Sequence, residues 1–138
     1  MSEDCIFCKI IKGEIPSSNV YDDDSTIAFL DIAPVNKGHV LVIPKNHYET
    51  ILDTPEDELK AVIATVKKVT KAVKSATNAD GITIGQSNYE AAGQTVPHLH
   101  FHIMPRFSDD GLKLWPQGKY DDKEMDKVKD KIINSLES

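Results

Sequence analysis

The chain has 138 residues, 40% of them hydrophobic, and a formal net charge of −6 at pH 7, which is the size and composition of one globular domain. Of its 16 basic residues only Arg106 is an arginine, which argues against the arginine-rich stripe of a nucleic-acid groove and leaves a small phosphorylated ligand open. The acidic start Met1-Ser2-Glu3-Asp4 leads into no long apolar run and no stretch is long enough to span a bilayer, so the expectation is a cytoplasmic protein without a membrane partner.

In that compartment the two cysteines, Cys5 and Cys8, are thiols or metal ligands and not a stabilising disulfide. As a C-x2-C pair they are compatible with two buried thiols, a redox pair or half of a zinc site. No βαβ pattern of the redox kind follows them. A zinc site needs two further ligands, for which His47 and His98 are candidates.

Asn19-Val20-Tyr21 and Thr26-Ile27-Ala28-Phe29-Leu30, separated by Asp22-Asp23-Asp24-Ser25, read as a hairpin with a polar turn. Asp31 ends the second strand, either as a solvated turn carboxylate or as an acceptor for sugar hydroxyls. His39 precedes Val40-Leu41-Val42-Ile43, a continuous apolar run ending at Pro44 that suits a buried strand. A helix follows, with Thr54 as its N-cap, Pro55 at the first position and Glu56, Asp57 and Glu58 complementing the dipole. Leu59, Val62, Ile63, Val66, Val69 and Val73 form its apolar stripe, while Lys60, Lys67, Lys68, Lys71 and Lys74 lie largely off it. Asn78 and Gly81 mark its end.

Gly81-Ile82-Thr83-Ile84-Gly85-Gln86 alternates like a strand. A polar loop over 87–95 then leads to the densest chemistry in the chain. In the run His98-Leu99-His100-Phe101-His102-Ile103 an extended backbone puts three imidazoles on one face and three apolar side chains on the other. Each ring can act near neutral pH as nucleophile, proton carrier or ligand. Gly93-Gln94-Thr95 just before it is either an ordinary loop or a phosphate cradle of backbone N–H groups and a hydroxyl, to which Asn88 adds an amide. Beyond Phe107 the chain is polar, carries Trp115-Pro116, and ends in a short helix supported by Met125, Val128, Ile132, Ile133 and Leu136. Hairpins interrupted by a helix, without regular βαβ alternation, give an α+β class in a single domain over 1–138.

The triad run resembles the signature of the histidine triad (HIT) family. The likeness extends to Cys5-Ile6-Phe7-Cys8-Lys9-Ile10-Ile11, Phe29-Leu30-Asp31-Ile32, Gly38-His39-Val40-Leu41-Val42-Ile43-Pro44-Lys45 and Ala92-Gly93-Gln94-Thr95-Val96. It covers roughly 5–107, leaves 108–138 as an extension, and is nearest to zinc-bearing prokaryotic-type members related to the Hint and Fhit branches.

The resemblance implies a five-stranded antiparallel sheet with one long helix and a C-terminal helix, dimerised into a continuous sheet. It implies hydrolysis at the α-phosphorus of a bound purine nucleotide. His100 would be the nucleophile, His102 would contact phosphate oxygens, and His39 and His98 would complete the catalytic group. Asp31 would bind the ribose hydroxyls, and Asn88, Gly93, Gln94 and Thr95 would line the phosphate side. One structural zinc per chain would sit on Cys5, Cys8, His47 and His98, with no organic cofactor.

A neutral imidazole is a competent nucleophile toward phosphorus, and a covalent nucleotidyl-histidine splits a hard displacement in two. With no arginine cluster for a long polyphosphate, the expected substrate is a nucleoside phosphoramidate, ahead of a dinucleoside polyphosphate. Two other readings are less favoured: a non-catalytic nucleotide-binding or interaction protein, and an open metal site on the histidine row. The sequence departs from the family at Pro97, which cannot donate a ladder bond, and beyond Phe107, where the likeness is loose.

Overall fold

Val40–Pro44 has no polar residue, and the reason is that both of its faces are covered. In the computed structural model, which describes residues 4–136 and so leaves Met1, Ser2 and Glu3 of the acidic start outside the described residues, this strand is the centre of a five-stranded sheet. The elements are α1 (Ile6–Ile11), β1 (Asn19–Asp22), β2 (Thr26–Leu30), β3 (Val40–Pro44), α2 (Glu56–Thr77), β4 (Gly81–Gly85), a 3₁₀ turn (Glu90–Ala92), β5 (Phe101–Arg106) and α3 (Glu124–Leu136). Every neighbouring pair in the order β1-β2-β3-β5-β4 is antiparallel. The α+β expectation and the five-stranded HIT-like sheet with a long helix are therefore met.

One face of the sheet presents Ala28, Val40, Val42, Phe101 and Ile103, and with Leu99 these pack on Val62, Val66, Val69 and Val73 of α2. Ile27, Phe29, Leu41 and Ile43 form the opposite face and are covered by Cys5, Phe7 and Cys8 at the N-terminus. The histidines lie on this second side, because Leu99, Phe101 and Ile103 take the first.

Three local expectations differ from the structure. The long helix begins at Glu56 with Pro55 at its cap, and the Thr54 hydroxyl donates instead to Thr50 O at 2.7 Å. Ile63 is 46% exposed, since it sits about 100° around the helix from Val62. Thr65 is buried beside that stripe, sharing a 2.7 Å hydrogen bond with Thr26. β5 starts at Phe101 and not at His98, because Pro97 offers no N–H, His98 N turns back to Val96 O, and Leu99 N donates to Tyr48 O. The C-terminal helix forms, but none of its residues is buried: Met125, Ile132, Ile133 and Leu136 are all exposed.

Gly38 is required where it stands. Its φ is +102°, in the left-handed region, and a Cβ there would lie 2.7 Å from Thr77 Cγ2 on α2. Gly38→Ala is expected to destabilise the fold by about 2 kcal/mol, from backbone strain and the collision together. A thermal melt of the variant within a degree of wild type would contradict this.

Candidate active site

Every catalytic argument at this site turns on which ring nitrogens carry protons. His100 is buried, and its Nδ1 lies 2.7 Å from His98 O, a carbonyl that can only accept. Nδ1 is therefore protonated and Nε2 keeps its lone pair. His39 Nδ1 lies 3.0 Å from Val35 N, an N–H that can only donate, so the proton of His39 is on Nε2. That Nε2–H donates to His102 Nδ1 at 2.9 Å, which leaves the His102 proton on its own Nε2. The two rings lining the cleft thus differ: His100 offers a bare nitrogen and His102 a donor.

Burial keeps the rings neutral. It lowers His100 and His39 below the usual imidazole value. It pushes His102 down to about 4, helped by the neighbouring His100 and His39. At pH 7 the His100 ring is therefore neutral, with Nε2 unprotonated.

In front of His100 and His102 lies a cleft of about 300 Å³. Its walls are mainly apolar, with Ile6, Phe7 and Ile10 of α1 on one side and Phe29 and Leu41 of the sheet on the other. The Phe7 ring stands edge-on to His100 at 5.1 Å. Asp31 is at the rim with one oxygen bonded to Ala33 N at 2.9 Å and the other 3.7 Å from His39 Nε2. The α1 wall is the part sequence reasoning missed; the signal was present in Ile6, Phe7, Ile10 and Ile11, an apolar cluster around the cysteine pair.

The 87–97 loop is built by side chains turned inward. Gln94 accepts from Tyr89 N at 2.7 Å and donates to Glu49 O at 2.6 Å. Asn88 accepts from Ile51 N at 2.9 Å and exchanges amide bonds with Gln86. Neither lines the cleft, whereas Thr95 does, and Gly93 makes the turn toward it with φ +95°.

His98 also departs from the expected row. It stays on the same side of the sheet as His100, since Phe7 packs against both rings, but it is fully buried and meets Cys5, Cys8 and His47 instead of the cleft. His98 Nδ1 lies 3.3 Å from Cys5 Sγ, 3.6 Å from Cys8 Sγ and 3.2 Å from His47 Nδ1, and the last of these is 3.3 Å from Cys8 Sγ. The edges of a tetrahedral zinc site with usual bond lengths are about 3.3 Å between nitrogens and about 3.6 Å between nitrogen and sulfur. His98 Nε2 donates to Pro44 O at 2.9 Å, so its Nδ1 is a bare donor atom aimed into the cluster. Burial pushes the Cys8 thiol up to about 11, a cost that a cation among the four would reverse. The residues fit a metal ion.

Asp31, His39 and His102 form a second group with converging ligand atoms. There the proton positions oppose a metal. His39 already accepts at Nδ1 from Val35 N, so binding a cation through Nε2 would require either an imidazolate or the loss of the Val35 and His102 hydrogen bonds. The open-metal reading of the histidine row is not supported.

A five-stranded antiparallel sheet carrying a tautomer-fixed histidine row, with a Cys2His2 cluster behind it, defines a class of small proteins whose chemistry runs on imidazole. The chain belongs to the HIT family: the HIT domain matches residues 12–109. It is 40% identical over 138 residues to the adenosine 5'-monophosphoramidase HNT1 of Candida albicans, covering 96% of this chain and 91% of that protein. A crystal structure of SMU.412c from Streptococcus mutans UA159 superposes with a TM-score of 0.93 at 40% identity, covering 99% of this chain and 87% of the other. A zinc-bound histidine triad family protein from Mycobacterium smegmatis superposes with a TM-score of 0.76 at 32% identity, covering 97% and 96%.

Proposed function

We propose that this protein is a nucleotide hydrolase acting at the α-phosphorus of purine nucleoside phosphoramidates, through a covalent nucleotidyl intermediate on His100. The observation that carries the reading is the 2.7 Å bond from His100 Nδ1–H to His98 O, which leaves Nε2 unprotonated toward the cleft. The kinship with a named adenosine 5'-monophosphoramidase supports the substrate class.

The base enters between α1 and the sheet, and Asp31 at the rim takes the ribose hydroxyls through its less engaged oxygen. His100 Nε2 attacks phosphorus, the P–N bond to the amine breaks, and the amine departs with a proton taken from solvent. His102 Nε2–H and the loop at Gly93 and Thr95 stabilise charge on the phosphoryl oxygens. Asn88 and Gln94 act one step removed, by holding that loop. His39 sets the tautomer of His102, and His98 supplies the carbonyl that orients His100. Water then attacks the same phosphorus, the bond from phosphorus to His100 Nε2 breaks and returns its electron pair to the ring, and the nucleoside monophosphate leaves while the water's proton passes to solvent.

Cys5, Cys8, His47 and His98 would hold one zinc ion in a closed site whose chemistry is structural. It joins α1 to the segment before β5. The kin structure with bound zinc supports this choice of metal. A homodimer that continues the sheet edge to edge is the assembly we favour, since β1 and β4 each end the sheet and each carry an exposed apolar residue, Val20 at 51% and Ile84 at 44%. Among the described residues no helix is long and apolar enough to cross a membrane, and thiol metal ligands suit a reducing compartment such as the cytoplasm.

The lone arginine supports an amine over a polyphosphate leaving group. Arg106 Nε is bound to Asp110 at 2.8 Å and is not available to neutralise extra phosphates. The test is kcat/KM for adenosine 5'-phosphoramidate against a diadenosine polyphosphate under one condition. At least a tenfold preference for the former is expected, and the reverse order would transfer the assignment to dinucleoside polyphosphates.

A further inference from the structure

We propose that Asn36 and Asp110 are positioning residues for this reaction: they brace the 31–39 turn against the end of β5 and thereby hold His102 in the tautomer that presents Nε2–H to the cleft. The proposal rests on the roles given to His100 and His102 above.

The lock on His102 starts at a backbone group, Val35 N–H, in a turn with little packing of its own. Residues 32–35 are all exposed, Ile32 fully and Val35 by 45%. Asp31 N–H to His39 O and Ala33 N–H to Asp31 Oδ1, both at 2.9 Å, close the turn on itself, and Asn36 ties it to β5. Its Nδ2 donates to Pro105 O at 2.8 Å and to Asp110 Oδ2 at 3.1 Å, and its own carbonyl accepts from His39 N at 3.1 Å. One residue therefore ties the turn to β5 on one side and to the His39 backbone on the other.

Asp110 is a built anchor for that amide. Its side chain is 7% exposed and also accepts from Arg106 Nε at 2.8 Å, Arg106 Nη2 at 3.2 Å, Phe107 N at 3.0 Å and Leu112 N at 3.0 Å. The Arg106 guanidinium and these N–H groups hold its carboxyl far below the usual carboxylate range. The only arginine in the chain is thus spent on the brace and not on substrate.

If the turn drifts, Val35 N–H leaves His39 Nδ1, and that nitrogen is free to take the proton. His39 Nε2 then becomes an acceptor, His102 must donate from Nδ1, and its Nε2 turns a lone pair toward the phosphoryl oxygens. A donor becomes a repulsive group without any change in the catalytic side chains.

The experiment uses the full chain with Asn36→Ala and, separately, Asp110→Asn. Long-range ¹H–¹⁵N spectra of the histidine rings read the tautomers directly, and kcat and KM are taken with adenosine 5'-phosphoramidate. Wild type is expected to give Nε2–H at His39 and His102 and Nδ1–H at His100. In both variants His39 and His102 should become tautomer mixtures while His100 is unchanged. kcat should fall about tenfold with KM within about twofold. Pure tautomers in a folded variant overturn the proposal, as does a mixture with unchanged kcat. A fall in kcat with the tautomers intact overturns it too, leaving the two residues a structural role only. If Asn36→Ala does not fold, Asp110→Asn, which keeps the side-chain shape, carries the same test. Failure of wild type to hydrolyse the phosphoramidate would instead count against the hydrolase reading, and the ring spectra would still judge the brace.

Discussion

His100→Ala is expected to reduce turnover of adenosine 5'-phosphoramidate by about 10⁴-fold or more while leaving nucleotide affinity within about threefold. The loss is large because no other group can take over. His102 presents a proton and not a lone pair, His39 has both ring nitrogens engaged by Val35 N and His102, and His98 has Nε2 on Pro44 O and Nδ1 among Cys5, Cys8 and His47. Affinity survives because Ile6, Ile10, Phe29 and Leu41 still wall the cleft, and Phe7, which loses its edge contact with His100, keeps its packing on Phe29. Rapid-quench sampling of wild type should trap a nucleotide on His100, and the variant should trap none. Near-normal turnover in His100→Ala, or an adduct on another residue, would overturn the assignment.

Removing the metal is expected to have the next largest effect, and on a different property. Protein isolated without chelator should contain about one zinc per chain, and Cys8→Ser should contain far less. The cluster joins α1 to the segment before β5 through two cysteines and two histidines, so its loss removes a cross-link between parts of the chain distant in sequence. Stability should fall by about 3 kcal/mol or more, a conservative share of what structural zinc contributes in small domains. Because α1 also supplies Ile6, Phe7 and Ile10 to the cleft, nucleotide affinity should weaken as α1 loosens. Elemental analysis, thermal melts with and without chelator, and nucleotide titration make the comparison. Metal-free protein with an unchanged melt would remove the four residues as a set, and the His100 chemistry would stand without them.

The periodicity of the chain determined much of the fold by itself. Val40–Pro44 is apolar throughout because it is covered on both faces, and the alternation from His98 to Ile103 assigns Leu99, Phe101 and Ile103 to the α2 side because side chains alternate along extended backbone. The punctuation of α2 was legible to within one residue. Thr54 was displaced from the cap because Thr50 O, in the preceding turn, offered its hydroxyl a partner that local sequence does not reveal. Spacing brought Cys5, Cys8, His47 and His98 into view as candidate ligands, and the family resemblance grouped them as one set. Those residues span some ninety positions, and only the packing of α1 against the sheet joins them.

What tertiary structure alone decided is the chemistry of each histidine. Identical side chains acquired different roles because each ring nitrogen met a different backbone or side-chain partner: His98 O for His100, Val35 N for His39, and His39 for His102. The same holds for Asn88 and Gln94, whose polarity suggested phosphate and whose amides are bonded within the protein instead. It holds for α3 as well, whose amphipathic spacing specifies a helix but not a surface to cover it. Spacing along a chain determines which face a side chain takes. Which atom donates and which accepts depends on groups brought close from distant parts of the chain, and that is where the function of this protein is set.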